Sequence, residues 1–353
     1  MMKHLCTTLL FGAALALGSA ELPLLSPAPV IDGKPGDPGW KNALPASFKV
    51  KQGKAFLGRS ATHLYVAIEV KHGNLEAAAN NFVKHDSAVY ADDCLDFFFT
   101  GAPNSESYSQ IIANVRGTVF DHRRDKDCRT DLTWDSGAEA KGSHGKDSVY
   151  IEMAIPLAAL GCDRHKLAVA VAAYTSWNQQ GEALWGQYHK PETFTLFELP
   201  DSFPVRVKER RWAYAGGLQS SFITLENTGS RDLVLEGNCN GTPLTVKLKA
   251  HAVRELECRA DLPAGKEGRT TLSLSEGGRE IVHVCRIFTP VKLLHVVPVS
   301  DLVYDGEPLC LKISVSEKNA GPVTVEYFPG RAVCTYKGEK VEIPYKTIPS
   351  PWR

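Results

Sequence analysis

Apolar and polar residues alternate with a period of two along most of this chain. In HLYVAIEV, His63 to Val70, the residues Leu64, Val66, Ile68 and Val70 share one side, and Tyr65, Ala67 and Glu69 share the other. A strand turns successive side chains to opposite faces, so this run predicts a β-strand with one strongly apolar face. DCLDFFFT, YSQIIANV, VYIEMAIP, LAVAVAAY and FTLFEL read the same way, with Gly, Asp and Asn clusters between them. Helix signals are few. Asn74 is placed to cap a short helix over LEAAANNFVKH, and PLAAL after Pro156 predicts one helical turn closed by Gly161. Many short strands, frequent turns and little helix predict an all-β fold, an antiparallel β-sandwich.

The texture changes between Phe203 and Trp212, where Pro204 is followed by KERR, Lys208 to Arg211. Clustered like charges favour water over a core, so residues 201–211 are expected to be a solvated linker. Beyond it SFITLEN, DLVLEG, LTVKLK, VRELEC, TTLSLS and EIVHVCRIF recur at short intervals, with DLPAGKEG as an internal turn. This series, residues 212–289, has the size of one immunoglobulin-like β-sandwich. LLHVVPV, LCLKISV, VTVEYF and VEIPY then open a further β-rich module over 290–353, which stops too soon to close a second full sandwich.

The start of the chain changes the picture of where it works. Lys3 and His4 precede a mostly apolar run, Leu5 to Leu17, and Gly18-Ser19-Ala20 offers small residues for cleavage. Residues 1–20 therefore read as a signal peptide, and the mature protein is expected to be secreted, periplasmic or extracellular. No later run approaches the roughly 18 apolar residues of a membrane-spanning helix. Forty basic residues balance forty acidic ones, and no basic stripe is present, which argues against nucleic acid as a partner. Of nine cysteines, Cys6 falls within the signal, leaving eight for an oxidising compartment. No CxxC pair suggests zinc. Cys239, Cys258 and Cys285 lie in or beside predicted strands, which suits cross-sheet disulfides or buried thiols. The histidines form no HExxH pairing, no GxSxG is present, and Asn240-Gly241-Thr242 is a glycosylation sequon.

Six segments, taken in order, resemble a known family. PVIDGKPGDPGWKNA looks like an opening Ile-Asp-Gly turn followed by a Trp. HLYVAIEV looks like a Leu-Tyr-Val strand, and DDCLDFFF like an Asp-Asp-led strand. QIIANVRGTVFD resembles an Asn-x-x-Gly element, VYIEMAIPLAAL a Glu-x-x-Ile-Pro strand and turn, and YTSWNQQ with HKPETFTLFEL a closing Ser-Trp and Pro-Glu-x-Phe pattern. Over about residues 29–200 the chain thereby resembles the family 9 carbohydrate-binding modules, in particular their relatives in exported bacterial proteins. The resemblance implies a jelly-roll-like sandwich that binds a polysaccharide or oligosaccharide without cutting it, within a polysaccharide-degrading system. It also implies a groove flanked by two tryptophans.

Trp177 and Trp185 are the candidates for that pair, since both lie in polar, Gln-rich connections outside any alternating strand. Trp134 is a weaker one. Asn114 and Arg116, at a strand end beside Gly117, supply an amide and a guanidinium as hydroxyl partners. Trp40 follows a turn-rich loop and is expected to plug the end of the core. Asp93, Asp121 and Asp125, with Asp92 and Asp127 near them in sequence, are candidates to hold a structural calcium ion. Asp96 and Glu152 each interrupt an apolar strand, which leaves a glycoside hydrolase with its own carboxylate pair as the alternative function. A second form of that alternative is a catalytic domain following Arg353, with this chain as its targeting region. A haem-binding relative would need Met, His or Lys axial ligands, with Met153 the only methionine outside the signal-like segment, and a purely structural surface protein would bind no glycan.

Overall fold

The structure is a computed structural model. It describes residues 20–34, 36–101, 106–125, 129–160, 166–176, 178–199, 204–215, 218–261, 266–289, 293–299, 302–304, 308–316 and 321–349. Residues 1–19 of the signal-like segment, Asp127 and Trp177 lie outside the described residues.

Two sheets build the N-terminal half. The larger runs Ala20–Glu21, Thr195–Glu198, Lys166–Thr175, Cys94–Thr100, Tyr108–Asn114, Val119–Arg124 and Thr130–Asp131, with Gln180–Leu184 also paired to Lys166–Thr175. The smaller runs Glu139–His144, Ser148–Pro156, His63–Lys71, Gly53–Arg59 and Leu44–Phe48. The predicted alternation sets the layers. Leu64, Val66, Ile68 and Val70 meet Leu95, Phe97, Phe99, Ile111, Val169 and Val171 between the sheets, all buried. Each such side chain removed from water contributes about 1.5–3 kcal/mol, which makes this core the main stabiliser of the half.

Tyr65 and Ala67, on the other side of the same strand, are also buried. They join Leu25, Trp40, Tyr150 and Ala154 in a separate apolar cluster on the outer face of the five-stranded sheet. Trp40 meets Tyr65 edge-on and tilts against Phe56, each with ring centroids 6.3 Å apart. The indole therefore covers the outside of a sheet, where the sequence predicted a plug at the end of the core. Glu152 is the reason. Its carboxylate sits fully buried under the cluster and accepts from Asp32 N (2.8 Å), Gly33 N (2.6 Å), Trp40 Nε1 (3.2 Å) and Tyr150 Oη (2.7 Å). Gly33 has φ +79°, and a Cβ there would stand 2.9 Å from the Gly142 carbonyl oxygen. The turn that brings the arm down onto Glu152 thus requires glycine.

The predicted helix after Asn74 does not form. A single 3-10 turn spans Leu75–Ala77, and the Asn74 side chain makes no cap bond. The backbone donors that a helix would use are taken by carboxylates. Ala79 N donates to Asp93 Oδ2 (3.2 Å), and Asn81 N and Phe82 N donate to Asp92 (both 3.0 Å). PLAAL does form one turn, Leu157–Ala159.

Past residue 203 a second sandwich packs three strands, Val205–Ala215, Leu218–Asn227 and Val253–Asp261, against Thr242–Leu248, Leu233–Cys239, Gly268–Glu276 and Arg279–Phe288. KERR, expected in a linker, lies within Val205–Ala215, an edge strand anchored by buried Val205. The two halves are not joined as beads on a string. Trp134–Asp135 from the first half extends the second half's sheet, with Asp135 opposite Cys285 and Trp134 opposite Arg286. Trp134 is buried there, under the Arg123 guanidinium at 4.5 Å and against Phe99. Arg269 bonds Asp135 (2.6 Å), Arg286 bonds Asp131 (2.9 Å), and one hydrophobic cluster runs through both halves. The second sandwich is therefore a docked body and not one hung on a solvated linker. The remaining strands form smaller sheets, of which Thr324–Phe328, Arg331–Tyr336 and Glu339–Pro344 is the largest. Among the described residues no helix is long and apolar enough to cross a membrane.

Candidate functional site

The outer face of the eight-stranded sheet is built differently from that of its partner sheet. Inward residues of Cys94–Thr100 are Leu95, Phe97 and Phe99, so Cys94, Asp96 and Phe98 point outward. Register then aligns polar residues from neighbouring strands. Gln110 pairs with Phe98 on one side and with His122 on the other, while Asp96 pairs with Ile112, which pairs with Phe120. Asp96, Gln110 and His122 thus share one patch of the sheet. Around them Tyr90, Phe120, Tyr174, Tyr188 and Tyr108 raise an aromatic rim, enclosing a concavity of about 390 Å³.

The rim is braced. Tyr90, 56% exposed, meets Phe120 edge-on at 5.6 Å. Tyr108 Oη is bonded to His189 Nδ1 at 2.7 Å and accepts from Arg124 Nη1 at 3.3 Å. Phe98 supports Tyr108, Tyr188 and His189 from below. Rotamers locked in this way present ring faces at little entropic cost on binding.

The floor carries unmet hydrogen-bonding capacity. Gln110 Nε2 donates to Asp96 Oδ1 at 2.8 Å, but Gln110 Oε1 and His122 Nδ1 are buried with no hydrogen-bond partner among the described residues. A buried polar atom left unpaired costs about 1–3 kcal/mol, so these two atoms are open to a water molecule or a ligand hydroxyl. Burial pushes Asp96 up to about 7, against the opposing bond from Gln110. Burial likewise pulls His122 down to about 4, helped by the charges of His189 and Arg124, and lowers His189. Near neutral pH the floor is therefore two uncharged imidazoles, an amide and a carboxyl close to its own midpoint. Such a floor can donate to and accept from hydroxyl groups, while the rim offers flat apolar faces.

None of the four residues proposed from sequence for ligand contact lines this groove among the described residues. Trp177 lies outside them. Trp185 packs edge-on against Phe197 at 6.4 Å, half-buried against the main core cluster to which Phe197 belongs. Asn114 is fully buried and serves a turn: its amide donates to Phe82 O and Asp92 Oδ2 (both 2.8 Å), and its Oδ1 accepts from Arg116 N and Thr118 N. Arg116 reaches Asn80 O at 2.6 Å and so ties down the loop over residues 79–93.

The acidic candidates for calcium are also dispersed. Asp93 is paired with His72 at 3.0 Å and accepts from Ser176 N at 2.7 Å. Asp125 accepts from Arg129 N. Asp121 accepts from Ser136 N and Oγ, and its neighbours are His85 and Asp86, with one ligand atom of each within 4.8 Å of the others. Burial holds Asp121 up at about 7. Burial opposes charge on His85, but Asp86, Asp121 and Asp135 outweigh it and raise the imidazole. Asp96 and Glu152 stand on the outer faces of opposite sheets and cannot flank one glycosidic bond. Met153 is fully buried in the core, in no position to reach a haem.

The class defined so far is an all-β, sandwich-built chain with an aromatic-rimmed polar groove on one sheet. No family model matches the sequence, and no curated protein matches it. Solved structures similar to it include a candidate carbohydrate-binding protein from Bacteroides uniformis, 14% identical over 44% of this chain and 84% of that one, TM-score 0.34. Another is a family 9 carbohydrate-binding module from Caldicellulosiruptor kristjanssonii in complex with cellotriose, 15% identical over 51% and 92%, TM-score 0.35. A third is the exo-chitosanase CsxA of Amycolatopsis orientalis, 12% identical over 79% of this chain but only 28% of that enzyme, TM-score 0.22.

Proposed function

We propose that this protein binds carbohydrate without cleaving it, through the groove over Asp96, Gln110 and His122. The observation that carries the reading is the pair of buried, unpartnered atoms, Gln110 Oε1 and His122 Nδ1, set inside a rim of tyrosines. A pyranose presents apolar C–H faces to such rings and hydroxyls to such a floor, so one ligand satisfies both. The family 9-like order of motifs in the sequence supports the same reading. With a leader-like start to the chain, the setting we propose is export and service in polysaccharide degradation, the second sandwich acting as a docked support. Asp96 has no second carboxylate across the groove among the residues that line it, which favours binding over hydrolysis.

A glycan-array screen of the mature chain followed by affinity electrophoresis tests this. Tyr174→Ala is expected to weaken retention in a gel containing the selected glycan by up to about tenfold, since an aromatic stacking contact is worth about 0.5–1.5 kcal/mol beyond the area it buries. Unchanged migration of that variant, or no glycan bound by the wild type, contradicts the reading.

A further inference from the structure

The cysteines of the second sandwich are a separate matter from the groove. All six described cysteines carry thiols in the structure, at positions 94, 239, 258, 285, 310 and 334. Two of them meet across the two sheets of the second sandwich. Cys239 ends the strand Leu233–Cys239 of one sheet, and Cys258 lies in Val253–Asp261, the outer strand of the other. Their side chains are in hydrogen-bonding contact with each other. Cys258 is buried and belongs to the core, and Cys239 is half-buried against it.

The backbone around the pair is fixed. Asn240 and Gly241 take positive φ, 51° and 80°, in a two-residue hairpin turn between Cys239 and Thr242. Asn240 Nδ2 then crosses to Arg259 O at 2.7 Å, and its Oδ1 accepts from Thr271 N at 2.7 Å. The neighbour of each cysteine is thereby bonded to the neighbour of the other, so the two sulfurs are held together by the hairpin and not by chance rotamers. The same bonds occupy the amide of the sequon residue.

We propose that Cys239 and Cys258 form a disulfide that clasps the two sheets of the second sandwich, installed by a thiol–disulfide exchange partner or a small-molecule disulfide. The accessible Cys239 reacts first. Its thiol is held below its ordinary value by the bond from Cys258 and by the backbone at Arg259, against the opposing effect of burial, a direction that favours the attacking thiolate. The thiolate attacks one sulfur of the donor disulfide, and the other sulfur leaves as a thiolate. Cys258 then loses its proton to solvent and attacks Cys239 Sγ, expelling the second donor thiolate. The protein dithiol loses two electrons and two protons, and the donor disulfide takes them up as two thiols. Cys285 takes no part: its thiol donates to Asp135 at 3.2 Å and is pushed above its ordinary range by burial and by that carboxylate.

The test is peptide mapping of the full mature chain after equilibration in a glutathione redox couple, with alkylation under denaturing, non-reducing conditions. The expected product is one linked peptide pair joining Cys239 to Cys258, lighter by about two mass units than the reduced peptides and released by dithiothreitol. Dithiothreitol is also expected to lower the Tm of the wild type by about 10 °C and to leave a Cys239→Ala/Cys258→Ala variant unmoved. Alkylation of both residues in the equilibrated protein, or linkage of either to another cysteine, overturns the proposal. Equal effects of dithiothreitol on wild type and double variant overturn it as well.

Discussion

Two carboxylates, one on the outer face of each sheet of the first sandwich, live opposite lives. Glu152 is saturated: two backbone amides, an indole and a phenol all point at it, and an arm of chain seals it from water. Asp96 is also buried but, among the described residues, accepts one side-chain bond, from Gln110, and the tyrosine-rimmed space above it is open. A sheet face that is finished by its own chain is a structural face. A sheet face left with unmet donors and acceptors beneath exposed rings is a face kept for something else. The same distinction separates Trp40, which spends its indole N–H inside the molecule, from Tyr90, which keeps its ring half in solvent.

The contrast can be broken most violently at Glu152. Glu152→Ala strands four donors and is expected to cost about 3–5 kcal/mol in urea denaturation, close to unfolding the first sandwich. Any folded fraction should bind glycan as before. Trp40→Ala is expected to follow at about 3 kcal/mol from lost burial and a deep surface gap, again without a change in affinity. Across the molecule, Gln110→Ala is expected to do the reverse, weakening binding tenfold or more while moving Tm by no more than a few degrees.

Asp96 sharpens the comparison through pH. Its folded value near 7 stands above the ordinary 3.8, so the folded state holds the proton more tightly than the unfolded one. That contribution to stability is complete below about pH 4 and fades as pH rises through 7. His122, lowered to about 4, acts in the opposite sense, losing stability as pH falls from about 6.5 toward 4. Asp96→Asn removes the first effect alone, so its Tm relative to wild type is expected to rise between pH 5 and pH 8. A parallel pair of curves would show that Asp96 is not held protonated by burial. The smallest expected effect is that of chelation. With Asp93, Asp121 and Asp125 dispersed, ethylenediaminetetraacetate is expected to move Tm by under about 1 °C, and a shift of several degrees would restore calcium to this fold.

Much of the scaffold was legible in the chain. The period-two run at Leu64 to Val70 gave both the strand and its inward face, and the Asp-Gly turn before Trp40 pointed to a structural indole. The helix after Asn74 was misread because Ala-rich propensity is local, whereas Asp92 and Asp93, ten or more residues on, take the amides of Ala79, Asn81 and Phe82. The linker was misread because KERR sits on an edge strand, where charge and strand are compatible. The groove was missed for a different reason. Asp96, Gln110 and His122 belong to three strands, and only register sets them side by side. A signal was present: DCLDFFFT and YSQIIANV each place polar residues among apolar ones, and the next strand, VFDHRR, is mostly polar. Tryptophan drew attention because the family resemblance implies a pair of indoles, while the rim here is mostly tyrosine.

Calorimetric titration decides the central claim most directly. The glycan selected on the array would be titrated into wild type, a Gln110→Ala/His122→Ala variant and Trp185→Ala, each first shown to be folded by its melting transition. The account expects heat from wild type and Trp185→Ala with similar Kd, and none from the double variant. Equal affinity of the double variant, or loss of binding in Trp185→Ala alone, would place the sugar somewhere other than the open face of the larger sheet.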